Sequence, residues 1–197
     1  MVVDTAAGPT VGVLALQGDF QEHARALQGA GATARRVRTV AELVGLDGMV
    51  LPGGESTTMQ VLLDRRRLWE PLGAALSAGL PVLATCAGAI LLARRIVDGR
   101  RDQRCFGLLD IAVRRNGYGR QIDSFEAPVR VEGLEDDVPG VFIRAPVIVA
   151  VDGADVIAEH DGQPVGVRQG QIRAFTFHPE LTDDLRIHRE FVRAVSA

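Results

Sequence analysis

Three short apolar runs dominate the first half of the chain, and each leads through small residues into a helical pattern. "TVGVLAL" (10–16), "DGMVLP" (47–52) and "PVLA" (81–84) are aliphatic and β-branched almost throughout. A strand wetted on one face alternates apolar and polar residues. A continuous apolar run therefore marks a strand buried on both faces, as in a parallel sheet clad by helices. After the first run, Asp19 and Glu22 form a capping-box-like pair opening a helix that Gly29 to Gly31 end. "TARRV" is a second strand and "VAELV" a short helical piece. "GGES" leads into a helix over 56–64 capped by Ser56, and another is expected over 68–78. A further helical face, Ala89 to Ala93, follows Cys86.

Beyond residue 105 the pattern shortens. "FGLLDIAVRR", "SFEAPVRVEG", "GVFIRAP", "VIVAV", "DVIAEHDGQPVGVRQG" and "QIRAFTF" are strand-like runs separated by Gly, Pro and Asp turns. A last helix is expected from about Thr182, with Leu185, Phe191, Val192 and Val195 as its apolar stripe. The expectation is one α/β domain over 1–197, with a mostly parallel central sheet flanked by helices and an antiparallel extension. The first nine or so residues are expected to be a disordered leader.

Charge and cysteine usage exclude several classes of function. A net charge of −3 offers no basic field to nucleic acid. No apolar run approaches the roughly 18 residues of a membrane span, and the N-terminus lacks a secretory pattern. Cys86 and Cys105 are the only cysteines. They form no C-x-x-C and no paired framework, so a cytoplasmic, reduced protein with no metal site is expected. All 22 cationic residues are arginine. The chain therefore has no phosphate-binding lysine, no Schiff-base lysine and no lysine general base.

Cys86 stands where a strand turns into a helix, with Ala84 two residues before it and Gly88 two after. Small residues at those places allow the tight turn that presents a nucleophile. A thiol needs a base. His23, on the first helix, His160, in a hairpin turn, and His188, on the last helix, read as surface or boundary residues. His178 directly follows "QIRAFTF" and precedes Pro179-Glu180, so Glu180 can accept its other ring N–H and fix the tautomer. "LPGGESTTM" lacks both phosphate-loop patterns. It suits an oxyanion hole, with the Gly53-Gly54 backbone and the Ala87 N–H as donors.

Cys86, the downstream H-P-E and the Gly-Gly loop, in this order, resemble a class I glutamine amidotransferase, and hence its flavodoxin-like fold. "LALQGDFQEH", "LPGGESTTM", "ATCAGAILLA", "RNGYGRQIDSFEA", "VFIRAP" and "FHPELTDD" look more narrowly like the glutaminase subunits of pyridoxal phosphate synthases. Such relatives usually carry Gly at the place of Ala84 and Ser at that of Gly117. The resemblance implies a catalytic Cys86, His178 and Glu180 and no cofactor. It implies L-glutamine bound by Gly54, Glu55, Ser56, Arg115, Ile143 and Arg144, with Arg115 suited to the α-carboxylate and Glu55 to the α-ammonium. It also implies a separate synthase subunit as partner, covering the face that carries "LQGD" with Gln17 near the site. The alternatives are a glutaminase subunit serving another synthase, such as that of imidazole glycerol phosphate, and a catalytically silent glutamine-binding or scaffold protein.

Overall fold

The computed structural model describes residues 8–100, 102–115 and 124–196. The expected leader, apart from Gly8 and Pro9, lies outside the described residues, as does Gly117. Strands β1 (Thr10–Leu14), β2 (Thr33–Val37), β3 (Gly48–Leu51) and β4 (Val82–Thr85) pair in parallel in the order β2-β1-β3-β4. The chain returns much later to add β12 (Ile172–Phe175) parallel to β4. Outside β12 the same sheet continues antiparallel through β11 (Gln163–Gln169), β10 (Asp155–His160), β7 (Phe125–Val131) and β8 (Val138–Phe142). A smaller sheet joins β5 (Ala93–Ile96), β6 (Leu109–Arg114) and β9 (Val147–Val151).

The continuous apolar runs are explained by two cores on opposite faces of the large sheet. Met49, Leu51, Val82 and Ala84 face a core with Met59 and Leu63 of α2 (Ser56–Arg65) and Leu72 of α3 (Trp69–Ser77). Their neighbours in sequence, Val50 and Leu83, face Leu27 of α1 (Phe20–Gly29) and Phe191 of α5 (Arg186–Val195). Each fully buried side chain of this size contributes about 1.5–3 kcal/mol. Along β3 and β4 alternation thus chooses between two cores, and every position is buried.

Several local expectations are corrected. Among the described residues Asp19 makes no side-chain capping bond at α1, and Glu22 instead pairs with Arg25 one turn on. The cap of α2 is Glu55 and not Ser56: its carboxylate accepts the N–H groups of Thr57 (3.0 Å) and Thr58 (2.7 Å). Helix α5 begins at Arg186, because residues 179–181 form a separate 3₁₀ turn and Asp184 accepts the Arg186 N–H at 3.0 Å. Strand β5 was not expected. Its "ARRI" puts Arg94 and Arg95 in solvent, which hides a strand behind an apparent helix tail.

Candidate active site

Strands β3, β4 and β12 are neighbours in the sheet, and their carboxyl ends open on one crevice, the place where α/β sheets collect ligands. Gly53-Gly54 follows β3, Cys86 follows β4, and His178 lies just beyond β12.

Cys86 sits at the seam between β4 and the six-residue helix α4 (Ala87–Leu92), with φ 45° and ψ −104°. A side chain held at positive φ costs of order 1–3 kcal/mol, so the surrounding structure must enforce it. The Cys86 N–H bonds the Phe175 carbonyl at 2.8 Å, which ties the turn to β12. Gly88 supplies the clearance, since a Cβ there would meet the Leu51 carbonyl oxygen at 2.1 Å. Ala84 lies wholly within the core, and its methyl group is accommodated there.

His178 is held from both sides. Its N–H bonds the Val141 carbonyl at 2.8 Å, and its ring packs on Gly53, where a Cβ would meet Cε1 at 2.2 Å. Nδ1 lies 2.8 Å from Glu180 Oε1 and 3.5 Å from Asp19 Oδ2. Burial pulls the imidazole pKa down, but the hydrogen bonds and charges of Cys86 and Glu180 outweigh it and raise the value to about 10. Burial likewise opposes ionisation of Glu180. His23 and His178 overcome it and hold that carboxyl well below the usual range. The arrangement can place a charged donor beside a sulfur, with a buried carboxylate fixing the ring.

A cavity of about 410 Å³ opens over Cys86 and His178, and Gly54, Glu55, Ser56, Arg115, Ile143 and Arg144 also line it. Gly53 lies under the His178 ring, Ala87 is buried at the start of α4, and Glu180 is buried behind His178. Gln17, Gly18, Asp19, Ile90 and Leu181 complete the wall. Of these only Gln17 was expected near the site; its Oε1 accepts the Glu55 N–H at 2.8 Å. Arg115 and Glu55 are bonded to each other at 3.0 Å. The Arg115 guanidinium also donates to Gln103 Oε1 at 2.8 Å, and Gln103 Nε2 donates to Ser56 Oγ at 3.0 Å. The two charges assigned to opposite ends of an amino acid therefore form a bonded pair at the cavity wall.

His23 and His188 are fully buried, against the expectation of surface or boundary positions. Periodicity could have revealed them: His23 precedes Ala26 and Leu27, and His188 precedes Phe191 and Val192, the i+3 and i+4 spacings of a buried helix face. Among the described residues, Asp19, His178 and Glu180 could bring ligand atoms within 4.8 Å of one another around a metal ion. The His178 and Glu180 atoms there are already bonded to each other, so they are engaged without one.

A doubly wound sheet with a cysteine, a histidine and a Gly-Gly turn at adjoining strand ends is the framework of a glutamine amidotransferase. A crystal structure of a glutamine amidotransferase superposes with a TM-score of 0.89 at 46% identity, over 95% of this chain and 99% of that one. The profile of the SNO glutamine amidotransferase family matches residues 13–197, and the chain belongs to that family. It is 57% identical to the pyridoxal 5'-phosphate synthase subunit PdxT of Frankia casuarinae, over 96% of each chain. It is 53% identical to PdxT of Geobacillus kaustophilus, over 94% of each.

Proposed function

We propose that the chain hydrolyses L-glutamine to L-glutamate and ammonia and delivers the ammonia to a synthase subunit that makes pyridoxal 5'-phosphate. The observation that carries this reading is the His178 imidazole, held between the Cys86 thiol and the buried Glu180 carboxylate at the floor of an amino-acid-sized cavity. The PdxT relatives, matched along nearly their whole length, support the choice of acceptor pathway.

Cys86 gives its thiol proton to His178 Nε2 as Sγ attacks the side-chain amide carbon of glutamine, and the carbonyl oxygen becomes an oxyanion facing the Gly53-Gly54 turn and the Ala87 N–H. The tetrahedral intermediate collapses as His178 gives its Nε2 proton to the departing nitrogen. Ammonia leaves and a γ-glutamyl thioester remains. His178 Nε2 then takes a proton from water, which attacks the thioester. Collapse returns that proton to sulfur and releases glutamate. Glu180 stays ionised throughout, holding Nδ1–H and so aiming Nε2 at the chemistry. Arg115, Glu55, Ser56, Ile143 and Arg144 bind the amino-acid end. The bonded Arg115–Glu55 pair must open, or shift to accept a ligand, as glutamine enters.

The acceptor chemistry belongs to another polypeptide, because this chain has no lysine to hold a sugar carbonyl as an imine. Two free cysteines fit a reducing cytoplasm; among the described residues no helix is long and apolar enough to cross a membrane. Residues 1–197 act as one domain, with a single large sheet contributing to both cores. The test is Cys86→Ala in the presence of the synthase subunit. Glutamine-dependent synthesis is expected to vanish while synthesis from added ammonium salts persists. Retention of most glutaminase activity refutes the reading.

A further inference from the structure

A chain of buried polar groups runs behind His178 and ends on the oxygen that orients it. His188 Nε2 lies 3.0 Å from His23 Nδ1, and His23 Nε2 lies 3.0 Å from Thr85 Oγ1 and 3.3 Å from Glu180 Oε1. Thr85 Oγ1 is in turn 3.4 Å from Glu180 Oε1. All four residues are buried, and His23, Thr85 and His188 do not line the cavity. The site chemistry described above uses His23 only as a neighbour that favours the ionised Glu180, and it leaves Thr85 and His188 without a role.

Hydrogen-bond logic gives the chain a direction. Burial, and secondarily His23, lower the pKa of His188 to about 3, so its ring is neutral. Among the described residues its Nδ1 has no partner. An orphan buried N–H is rarer than an orphan acceptor, which puts the His188 proton on Nε2. That proton is donated to His23 Nδ1. His23 then carries its own proton on Nε2 and donates to Thr85 and Glu180, and the Thr85 hydroxyl donates to Glu180. Donors in series polarise one another, and every bond in this series points toward Oε1.

We infer that His23 is a positioning residue for the glutaminase reaction, acting with Thr85 and His188 to keep Glu180 ionised and aimed at His178 Nδ1. The inference rests on the reading that Cys86, His178 and Glu180 carry that reaction. Filling a helix face and a strand interior with histidines and a hydroxyl is costly unless each is bonded. Leu, Phe or Val would fill the same space without that demand. What the polar set adds is three donors on one carboxylate oxygen: His178 Nδ1–H, His23 Nε2–H and Thr85 O–H. Losing His23 leaves the carboxylate less stabilised, so it protonates at higher pH. Among the described residues, the other charged groups near Glu180 are Asp19, which faces His178, and Glu22, Arg25 and Asp183, which line an outer cavity that Glu180 also borders. Glu22 and Arg25 neutralise each other as a pair.

The experiment compares the full-length parent with His23→Phe, His23→Gln and the isosteric Thr85→Val, each checked for folding by thermal melting. With glutamine and saturating synthase subunit, His23→Phe is expected to lose kcat by roughly 10- to 100-fold, with KM little changed. Its acid limb moves up by about one pH unit, the size expected from losing one hydrogen bond to an ion. His23→Gln, which keeps an amide donor, recovers most of the loss, and Thr85→Val moves the same way by less. Independently of glutamine, the low-field proton NMR signal of the His178–Glu180 bond disappears at higher pH in His23→Phe than in the parent. A folded His23→Phe with the parental kcat, acid limb and NMR titration overturns the inference, and so do losses confined to KM. If His23→Phe does not fold, Thr85→Val decides on the same readouts. A parent that hydrolyses no glutamine refutes the functional reading, while the NMR titration still decides the inference.

Discussion

Replacing Gly53 by alanine tests the site where backbone meets base. The Gly53 φ lies outside the left-handed range, so the peptide itself tolerates a side chain. The obstacle is the His178 ring. The new methyl would stand 2.2 Å from Cε1 and 2.8 Å from Nδ1, against 3.4 Å for ordinary contact. The ring must therefore retreat by about 1.2 Å or the 53–54 turn must lift away. Retreat stretches the 2.8 Å bond to Glu180 and carries Nε2 off the sulfur, whereas lifting withdraws the oxyanion donors. A displacement of about 1 Å in a reacting group costs about 10²-fold in rate, and loss of one oxyanion donor costs ~10²–10³. Gly53→Ala is thus expected to lower kcat for glutamine hydrolysis by at least about 10²-fold. Its melting temperature should stay close to the parent's, because the clash lies in the crevice and outside both apolar cores. Steady-state kinetics with saturating synthase subunit, beside a thermal melt, measure both. A variant within threefold of parental kcat would mean that His178 is not held where this geometry puts it.

Two further predictions concern thiol choice and pH. A glutamine-like electrophile should alkylate Cys86 well before Cys105, whose thiol is pushed up by burial despite a bond from the Gly107 backbone; mass spectrometry showing label mainly on Cys105 would contradict this. The imidazole of His178 is raised from 6.5 to about 10, so its contribution to stability is full below pH 6.5 and disappears as pH rises toward 10. The stability difference between the parent and His178→Gln, from urea melts, should shrink steadily from pH 6.5 to 10, and a difference that grows over that interval refutes the linkage.

The centre of the sheet was legible because β3 and β4 obey one rule at every position. Met49, Val50 and Leu51 are all buried, as are Val82, Leu83 and Ala84, and a sheet covered on both faces requires such runs. The candidate site residues were legible for a related reason. Each stands at a junction where a strand ends, and there a cysteine between Ala84 and Gly88, or a histidine before Pro-Glu, has little structural cause. What stayed hidden was set by contacts rather than pattern. The Asp19 and Glu22 spacing matches a capping box, but Asp19 lies 3.5 Å from His178 and Glu22 is taken by Arg25. Ser56 looks like a cap, but Glu55 reaches both following N–H groups first.

His23 and His188 show how residue type can mislead where periodicity does not. A histidine on an amphipathic helix is ordinarily read as polar and assigned to water. On α1 and α5 it holds a place in the apolar stripe, three and four residues before buried partners. A polar ring in that stripe demands a second polar group from another element, because desolvating it alone is costly. Each histidine here supplies the other's partner from a helix 165 residues away, and Thr85, the last residue of β4, joins them to Glu180. Thr85 is also the residue immediately before the Cys86 turn. The same strand end thus presents the thiol to the cavity and ties the buried polar chain to Glu180, and any shift of β4 against α1 moves the thiol and the polar chain together.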